Sequence, residues 1–224
     1  MDNWLKYCVD KRPLDCGFSV YYQGKHDGGG KLFIKHIFSK KEFLEEHKDC
    51  KSVLEVCSGP GFIGWYLYYH LKMDQACFLD IHKPVAEDIK MTADMNSREF
   101  NFYLSDGFKN YTGPKVDLIV MNPPFYFTQK QFDNHVTWKG LEDKNHIDND
   151  ERITLDLDFN LHNNLIENFE KHLTDNGRIV FLEDRDFIPR HMIESKVNFN
   201  LKVTYKDFSI KGDNLDYYTL TYYK

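Results

Sequence analysis

After residue 50 the apolar positions fall into two alternating rhythms. Short, nearly continuous apolar runs read as buried strands, and between them lie stretches with apolar positions three or four residues apart, the signature of helices packed by one face. "KSVLEVC" (51–57) is the first such strand and ends in the turn "SGPG". "FIGWYLYYHL" (62–71) follows as a helix that is apolar nearly all round, hence buried. "ACFLDI" (76–81) is a second strand, and Pro84 suits the first turn of a helix in which Val85, Ile89 and Ala93 recur at four-residue spacing. "NFYLSD" (101–106) and "VDLIVM" (116–121) read as strands three and four. A helix over about 159–173 places Leu161, Leu165, Phe169 and Leu173 on one face, "DNG" (175–177) stops it, and "RIVFLED" (178–184) is the fifth strand. Strands alternating with helices predict crossover connections and a mostly parallel sheet.

The tail breaks that alternation. "LKVTYKDFSI" and "LDYYTLTYYK" are two strands joined by "KGDN" with no helix between, which predicts an antiparallel hairpin closing the sheet. Two further segments stand outside the rhythm. Residues 1–35 carry "DGGGK" and lead into a helix whose start, "SKKEF", holds a capping box of Ser39 and Glu42. Residues 126–158 are long, polar and charged, and a loop of that length within a compact domain is usually functional or disordered. With Trp138 among lysines, it is expected to form a mobile lid, Trp138 stacking on a substrate and Lys130 and Lys139 serving phosphates if the substrate is a nucleic acid.

Composition narrows the picture. At 224 residues and 42% hydrophobic, the chain fits one large domain over 1–224, with an N-terminal extension to residue 50, a core from 51 onward and the 126–158 insertion. A net charge of −6 argues against tight sequence-independent nucleic-acid binding, which needs a basic face. Five cysteines without a CxxC pair and ten scattered histidines predict no zinc site and no disulfide framework. With no apolar run near the ~18 residues that span a bilayer and no signal peptide, the expectation is a cytoplasmic protein without membrane contact.

Chemistry enters at the strand ends. Gly59, Gly61 and Gly64 stand in GxGxxG spacing between a strand and a helix, allowing a tight turn, close backbone approach to a ligand and close helix packing. Asp80 ends the next strand about 20 residues on, where a carboxylate accepts ribose hydroxyls; Asp106 lies along the same edge. Together these point to an adenosine ligand, and Glu55 within the glycine strand favours a cationic one. Strand four ends abruptly in Asn122, Pro123, Pro124 and Phe125, because proline cannot donate to a sheet ladder. A nicotinamide-dependent dehydrogenase would share the glycine turn and Asp80, but has no use for this tetrapeptide.

"LEVCSGPGFIG", "FLDIHKPVAEDIKMTADMN", "YLSDGF" and "DLIVMNPPF", in that order, resemble class I S-adenosylmethionine-dependent methyltransferases of the branch with an Asn-Pro-Pro-aromatic motif, over roughly residues 50–224. The branch includes HemK-like release-factor glutamine methyltransferases and adenine-N6 methyltransferases. The resemblance implies a Rossmann-like α/β fold with a seven-stranded, mostly parallel sheet. It implies S-adenosylmethionine held by Glu55, Cys57, Ser58, Gly59, Gly61, Phe62, Asp80, Ile81, Asp106, Gly107 and Asn122. It implies catalysis by Asn122, Pro123, Pro124 and Phe125 on a planar nitrogen, either adenine N6 in RNA or DNA or the side-chain amide of a protein glutamine. Cys57 stands where many relatives have glycine, which keeps a non-catalytic binding module open. Oligomeric state is not legible.

Overall fold

A computed structural model describes residues 4–6, 8–9, 12–13, 19–21, 30–138, 155–197, 201–210 and 215–224. Four short strands come first: β1 (Trp4–Lys6) pairs with β4 (Ser19–Tyr21), and β2 (Cys8–Val9) with β3 (Arg12–Pro13). Helix α1 (Gly30–Phe33) continues into a π turn, Ile34–Phe38, and α2 spans Lys41–Glu46. The core strands are β5 (Ser52–Val56), β6 (Gln75–Asp80), β7 (Asn101–Leu104), β8 (Val116–Met121), β9 (Leu173–Asp184), β10 (Lys202–Ile210) and β11 (Leu215–Tyr223). They form one seven-stranded sheet in the order β10-β11-β9-β8-β5-β6-β7. The five from β7 to β9 pair in parallel, and the hairpin adds two antiparallel strands beside β9. This is the predicted architecture.

Alternation along the central strands divides the core between two faces. Val53, Leu118, Val120, Val180 and Leu182 pack with α1, α3 (Phe62–His70) and α4 (Val85–Asn96). Leu54, Val56, Ile119, Met121, Ile179 and Phe181 pack with α6 (Asn160–His172) and α7 (Arg190–Glu194). The first six residues of α3 are all buried, as its unbroken apolar sequence requires.

The strand order places the site. From β5 the chain runs outward through β6 to β7, then crosses back to β8 on the other side of β5. Where the winding reverses, loops leave in opposite directions and open a crevice at the carboxyl ends of the strands. Val56 lies opposite Met121, so the glycine turn and the Asn-Pro-Pro-Phe turn leave the sheet side by side.

Three local expectations change. Ser39 and Glu42 form no capping box: α2 begins after Lys40 without a side-chain cap, and the Ser39 hydroxyl donates back to the Lys35 carbonyl at 3.1 Å. "DNG" does not separate helix from strand but forms a bulge within β9, whose partner in register with β8 jumps from Leu173 to Arg178. The 126–158 segment begins with a helix, α5 (Gln129–Trp138), while its residues 139–154, including Lys139, lie outside the described residues, as do 27–29 of "DGGGK".

Candidate active site

The glycine turn is built by conformations few side chains tolerate. Cys57, Gly59 and Gly61 all take positive φ, at 55°, 48° and 79°. A Cβ on Gly61 would sit 2.7 Å from the Phe78 ring, and one on Gly64 would meet that ring at 2.8 Å and Glu55 Oε2 at 2.9 Å. Those two glycines therefore seat α3 on β5 and β6. Gly59 differs: a Cβ there would meet nothing within 4 Å, so its backbone faces open space. Gly30 brings α1 against Phe62, since its Cβ would be 2.8 Å from Phe62 Cβ.

Carboxylates hold the turn. Glu55 accepts from the N–H groups of Ile63 (3.3 Å) and Gly64 (2.7 Å), satisfying two orphan donors of the α3 N-terminus. Burial nevertheless pushes its carboxyl up to about 8. Asp80 accepts from Gly59 N–H and His82 N–H, each at 2.8 Å, and burial raises its pKa too. Ser58 is buried, its N–H donating to the Leu79 carbonyl at 3.1 Å. Ile81, immediately after Asp80, is 58% exposed, an apolar side chain presented to the crevice edge. Asp106 pairs with Lys109 at 2.6 Å, and Gly107 turns at φ 54° against Asn164, whose Oδ1 accepts from Phe108 N–H at 2.7 Å. The structure thus gathers Glu55, Cys57, Ser58, Gly59, Gly61, Phe62, Asp80 and Ile81 around one turn, with Asp106 and Gly107 two strands away.

On the other side of β5, β8 ends at Met121 and the tetrapeptide turns away from the ladder. Pro123 is buried, whereas Asn122, Pro124 and Phe125 are half-buried. The Phe125 ring packs against Tyr126 (4.4 Å between centroids) and Phe187 (5.2 Å). Tyr126 then pairs with Leu155, and its carbonyl accepts from Asp156 N–H at 2.7 Å, so the chain leaving the turn is flanked by the chain that returns to α6.

Two features went unread in the sequence. "TQKQ" is a capping box: Gln131 N–H donates to Thr128 Oγ1 (3.2 Å), and Gln131 Oε1 accepts from Thr128 N–H (3.1 Å), starting α5 at Gln129, just past the Phe125 turn. The pattern was available. The second is a buried cluster of Asp156, His162 and Glu183. His162 Nδ1 lies 2.7 Å from Asp156 and Nε2 lies 3.3 Å from Glu183 Oε1, close enough for an ion pair but not aligned as a hydrogen bond. Burial by itself would lower the pKa of His162, but the charge of Glu183 and the bond to Asp156 lift it to about 9. No local pattern links three residues so far apart in the chain.

This fold, with its glycine turn, acidic second strand and Asn-Pro-Pro-Phe turn at the switch point, is that of the class I methyltransferases. The methyltransferase small domain model matches residues 16–147, and the chain belongs to that family of S-adenosylmethionine-dependent methyltransferases. A release factor glutamine methyltransferase of Chlamydia trachomatis is 27% identical over 116 residues, 49% of this chain and 39% of that protein. A ribosomal RNA small subunit methyltransferase C of Haemophilus influenzae is 35% identical over 107 residues, 48% of this chain and 30% of the other. The chain thus spans well under half the length of these relatives. Among solved structures, a 16S rRNA methyltransferase of T. thermophilus in complex with AdoMet and guanosine superposes with a TM-score of 0.62 at 13% identity, covering 100% of this chain and 50% of that one. A methyltransferase from Pyrococcus furiosus gives 0.54 at 13% identity, covering 84% and 82%.

Proposed function

We propose that the protein transfers a methyl group from S-adenosylmethionine to a planar nitrogen of a macromolecule, either the side-chain amide of a protein glutamine or an exocyclic amine of a nucleic-acid base. The observation that carries this reading is the register of Val56 with Met121, which sets Asn122–Phe125 beside the glycine turn.

The residues fit that cofactor. Gly59 offers bare backbone to open space, Asp80 is anchored beside it by the Gly59 N–H, and Ile81 presents an apolar side chain at the same edge. On this reading Asp80 holds ribose hydroxyls, Ile81 covers a flat base, and Glu55, Cys57, Ser58, Gly61, Phe62, Asp106 and Gly107 shape the cradle. The cofactor supplies an electrophilic methyl on a positively charged sulfur, which suits a crevice walled by Asp80 and Asp106. The chain's part is to aim a poor nucleophile. A planar nitrogen has its lone pair delocalised, so the Asn122 side-chain oxygen and the Pro123 carbonyl would each accept one of its N–H bonds and favour pyramidalisation. Two prolines hold those acceptors stiffly, and preorganisation of this kind lowers a barrier without reorganisation at the moment of reaction. The Phe125 ring would lie on the planar group, and its packing on Tyr126 and Phe187 keeps it in place.

The test is to incubate the protein with S-adenosylmethionine labelled in the methyl group and with separated RNA and protein fractions of a cell extract. Label in RNA selects the base and label in protein selects the amide, and hydrolysis of the product identifies the nitrogen. Thermal stabilisation by NADH but not by S-adenosylmethionine would overturn the reading. So would cofactor binding with no label in either fraction.

A further inference from the structure

We propose that His162, held between Asp156 and Glu183, is a positioning residue for the Asn122–Phe125 turn, fastening the chain that leaves the turn and the chain that returns to α6 onto the end of β9. The proposal rests on the methyl-transfer reading for its kinetic consequence but not for its structural one.

The connections run through Asp156. Its N–H donates to the Tyr126 carbonyl, one residue beyond Phe125, and Asp158 N–H donates to the Phe127 carbonyl at 3.3 Å. Its carboxylate accepts from the N–H groups of Leu161 (2.7 Å) and His162 (3.1 Å) at the start of α6, and meets His162 Nδ1 as well. Across the ring, Nε2 faces Glu183, which is 1% exposed and whose carboxylate oxygens have no hydrogen-bond partner among the described residues. Met121 lies opposite Phe181 as the last pair between the two strands, and Glu183 stands two residues further along β9, past the point where β8 gives way to the Asn122–Phe125 turn. One imidazole therefore links β9, the return segment and, through Tyr126, the Asn-Pro-Pro-Phe turn. Phe159, in the left-handed region at φ 60°, stacks on the ring at 4.2 Å and seals it from solvent.

The chemistry makes this link depend on a proton. Both ring nitrogens face carboxylates, and only the imidazolium donates from both. Removing one proton from the imidazolium leaves a single N–H between two buried carboxylates, so the carboxylate without it faces a ring lone pair, and that repulsion opens the link. The groups facing the ring are few. They are Asp156 before α6 and Glu183 on β9; around these two lie Cys57 after β5, Asp184 next to Glu183, Tyr218 in register with Glu183 on β11, and Lys196, whose ammonium is 5.8 Å over the Phe159 ring. A link that served packing alone would be met as well by apolar residues of the same volume.

The experiment uses the full chain and two variants, Glu183→Gln, which keeps shape and removes charge, and Asp156→Asn. Nitrogen-15 spectra of histidine-labelled protein read the protonation of His162. Hydrogen exchange reads the 122–128 amides against β6. Methyl transfer from labelled S-adenosylmethionine to the cell extract is followed across pH, with S-adenosylhomocysteine affinity as control. The expected result is an imidazolium at pH 7 in the wild type. Glu183→Gln should then lower kcat about a hundredfold, as a small misplacement of catalytic groups does, with unchanged cofactor affinity. The alkaline limb of its rate profile should shift to lower pH, and exchange should quicken in 122–128 but not in β6. A neutral His162 at pH 7 in the wild type overturns the proposal whether or not the variants fold. A folded variant with unchanged kcat and pH profile, or one losing protection equally in β6 with no shift of the alkaline limb, also overturns it. If wild type binds the cofactor yet labels nothing, the methyl-transfer reading fails alone, and the spectra and exchange still decide the link.

Discussion

The two ends of the same sheet each bury a histidine completely, and the two are opposite in character. At the amino end His47 follows α2 and packs its ring on Phe43 at 4.2 Å, with no hydrogen-bond partner for either nitrogen among the described residues. Burial, reinforced by the nearby Arg178 guanidinium, pushes its pKa down to about 4, and it is neutral. Its charged neighbours are already engaged: Arg178 donates to the Glu46 carbonyl (2.6 Å) and to Asp49 (2.7 Å), while Glu46 accepts from Lys206 and Tyr223. At the carboxyl end His162 is equally buried, yet two carboxylates raise it. Burial does not decide protonation; what the burying elements present does. The amino end is charge-paired and closed. The carboxyl end concentrates buried acids, including Glu55, Asp80, Asp156, Glu183 and Asp184, at the place where the strand order opens a crevice.

The sharpest way to break the contrast is Asn122→Ala. Turnover should fall about a hundred- to thousandfold, the ~2.7–4 kcal/mol typical of one preorganised hydrogen-bonding group, while calorimetry finds cofactor affinity nearly intact. Full activity would make the carboxyl end no more catalytic than the amino end. The next effect is on stability. His47 is depressed from its ordinary value to about 4, so the unfolded chain binds its proton first as pH falls. Its stabilising contribution is whole above pH 6.5 and is lost on descending towards pH 4, by about 3 kcal/mol at ~1.4 kcal/mol per pH unit. Chemical denaturation at pH 7 and pH 4 should show that loss in the wild type and a smaller one in His47→Leu. His162 has the opposite sign, with its contribution whole below pH 6.5 and lost as pH rises through about 9. Gly61→Ala comes third. A positive φ and a ring 2.7 Å from the added carbon should lower stability by about 1–3 kcal/mol and weaken cofactor binding in the same titration. Cys57→Gly is the smallest, gaining up to about 1 kcal/mol by relieving a left-handed backbone, visible as a modest rise in melting temperature.

Legibility followed the range of the interactions involved. Strands β5, β6, β8 and β9 were readable because burial on both faces demands continuous apolar residues, and the hairpin because nothing helical separates its strands. The glycine turn and the Asn-Pro-Pro-Phe turn were readable because backbone constraint is written in residue type. Capping was misplaced. Ser39 and Glu42 satisfy the same pattern as Thr128 and Gln131, but Ser39 ends a π turn and bonds backwards, so local chemistry was decided by what precedes it. The His162 cluster was unreadable because its members meet only once α6 lies against β9. Trp138 falls within α5, which the polar stretch disguised.

The pairing of Tyr126 with Leu155 also bears on how such a chain can diversify. At that pairing two backbone contacts, the Tyr126–Leu155 bridge and the Asp156 N–H to the Tyr126 carbonyl, form one fixed gate, and Phe132 of α5 packs on the Tyr126 ring beside it. Closing a longer loop across a fixed gate costs only about 0.6 kcal/mol for each doubling of its length. Lengthening the chain between α5 and Leu155 should therefore place little burden on the sheet. The gate is thus a natural place to graft a different recognition element.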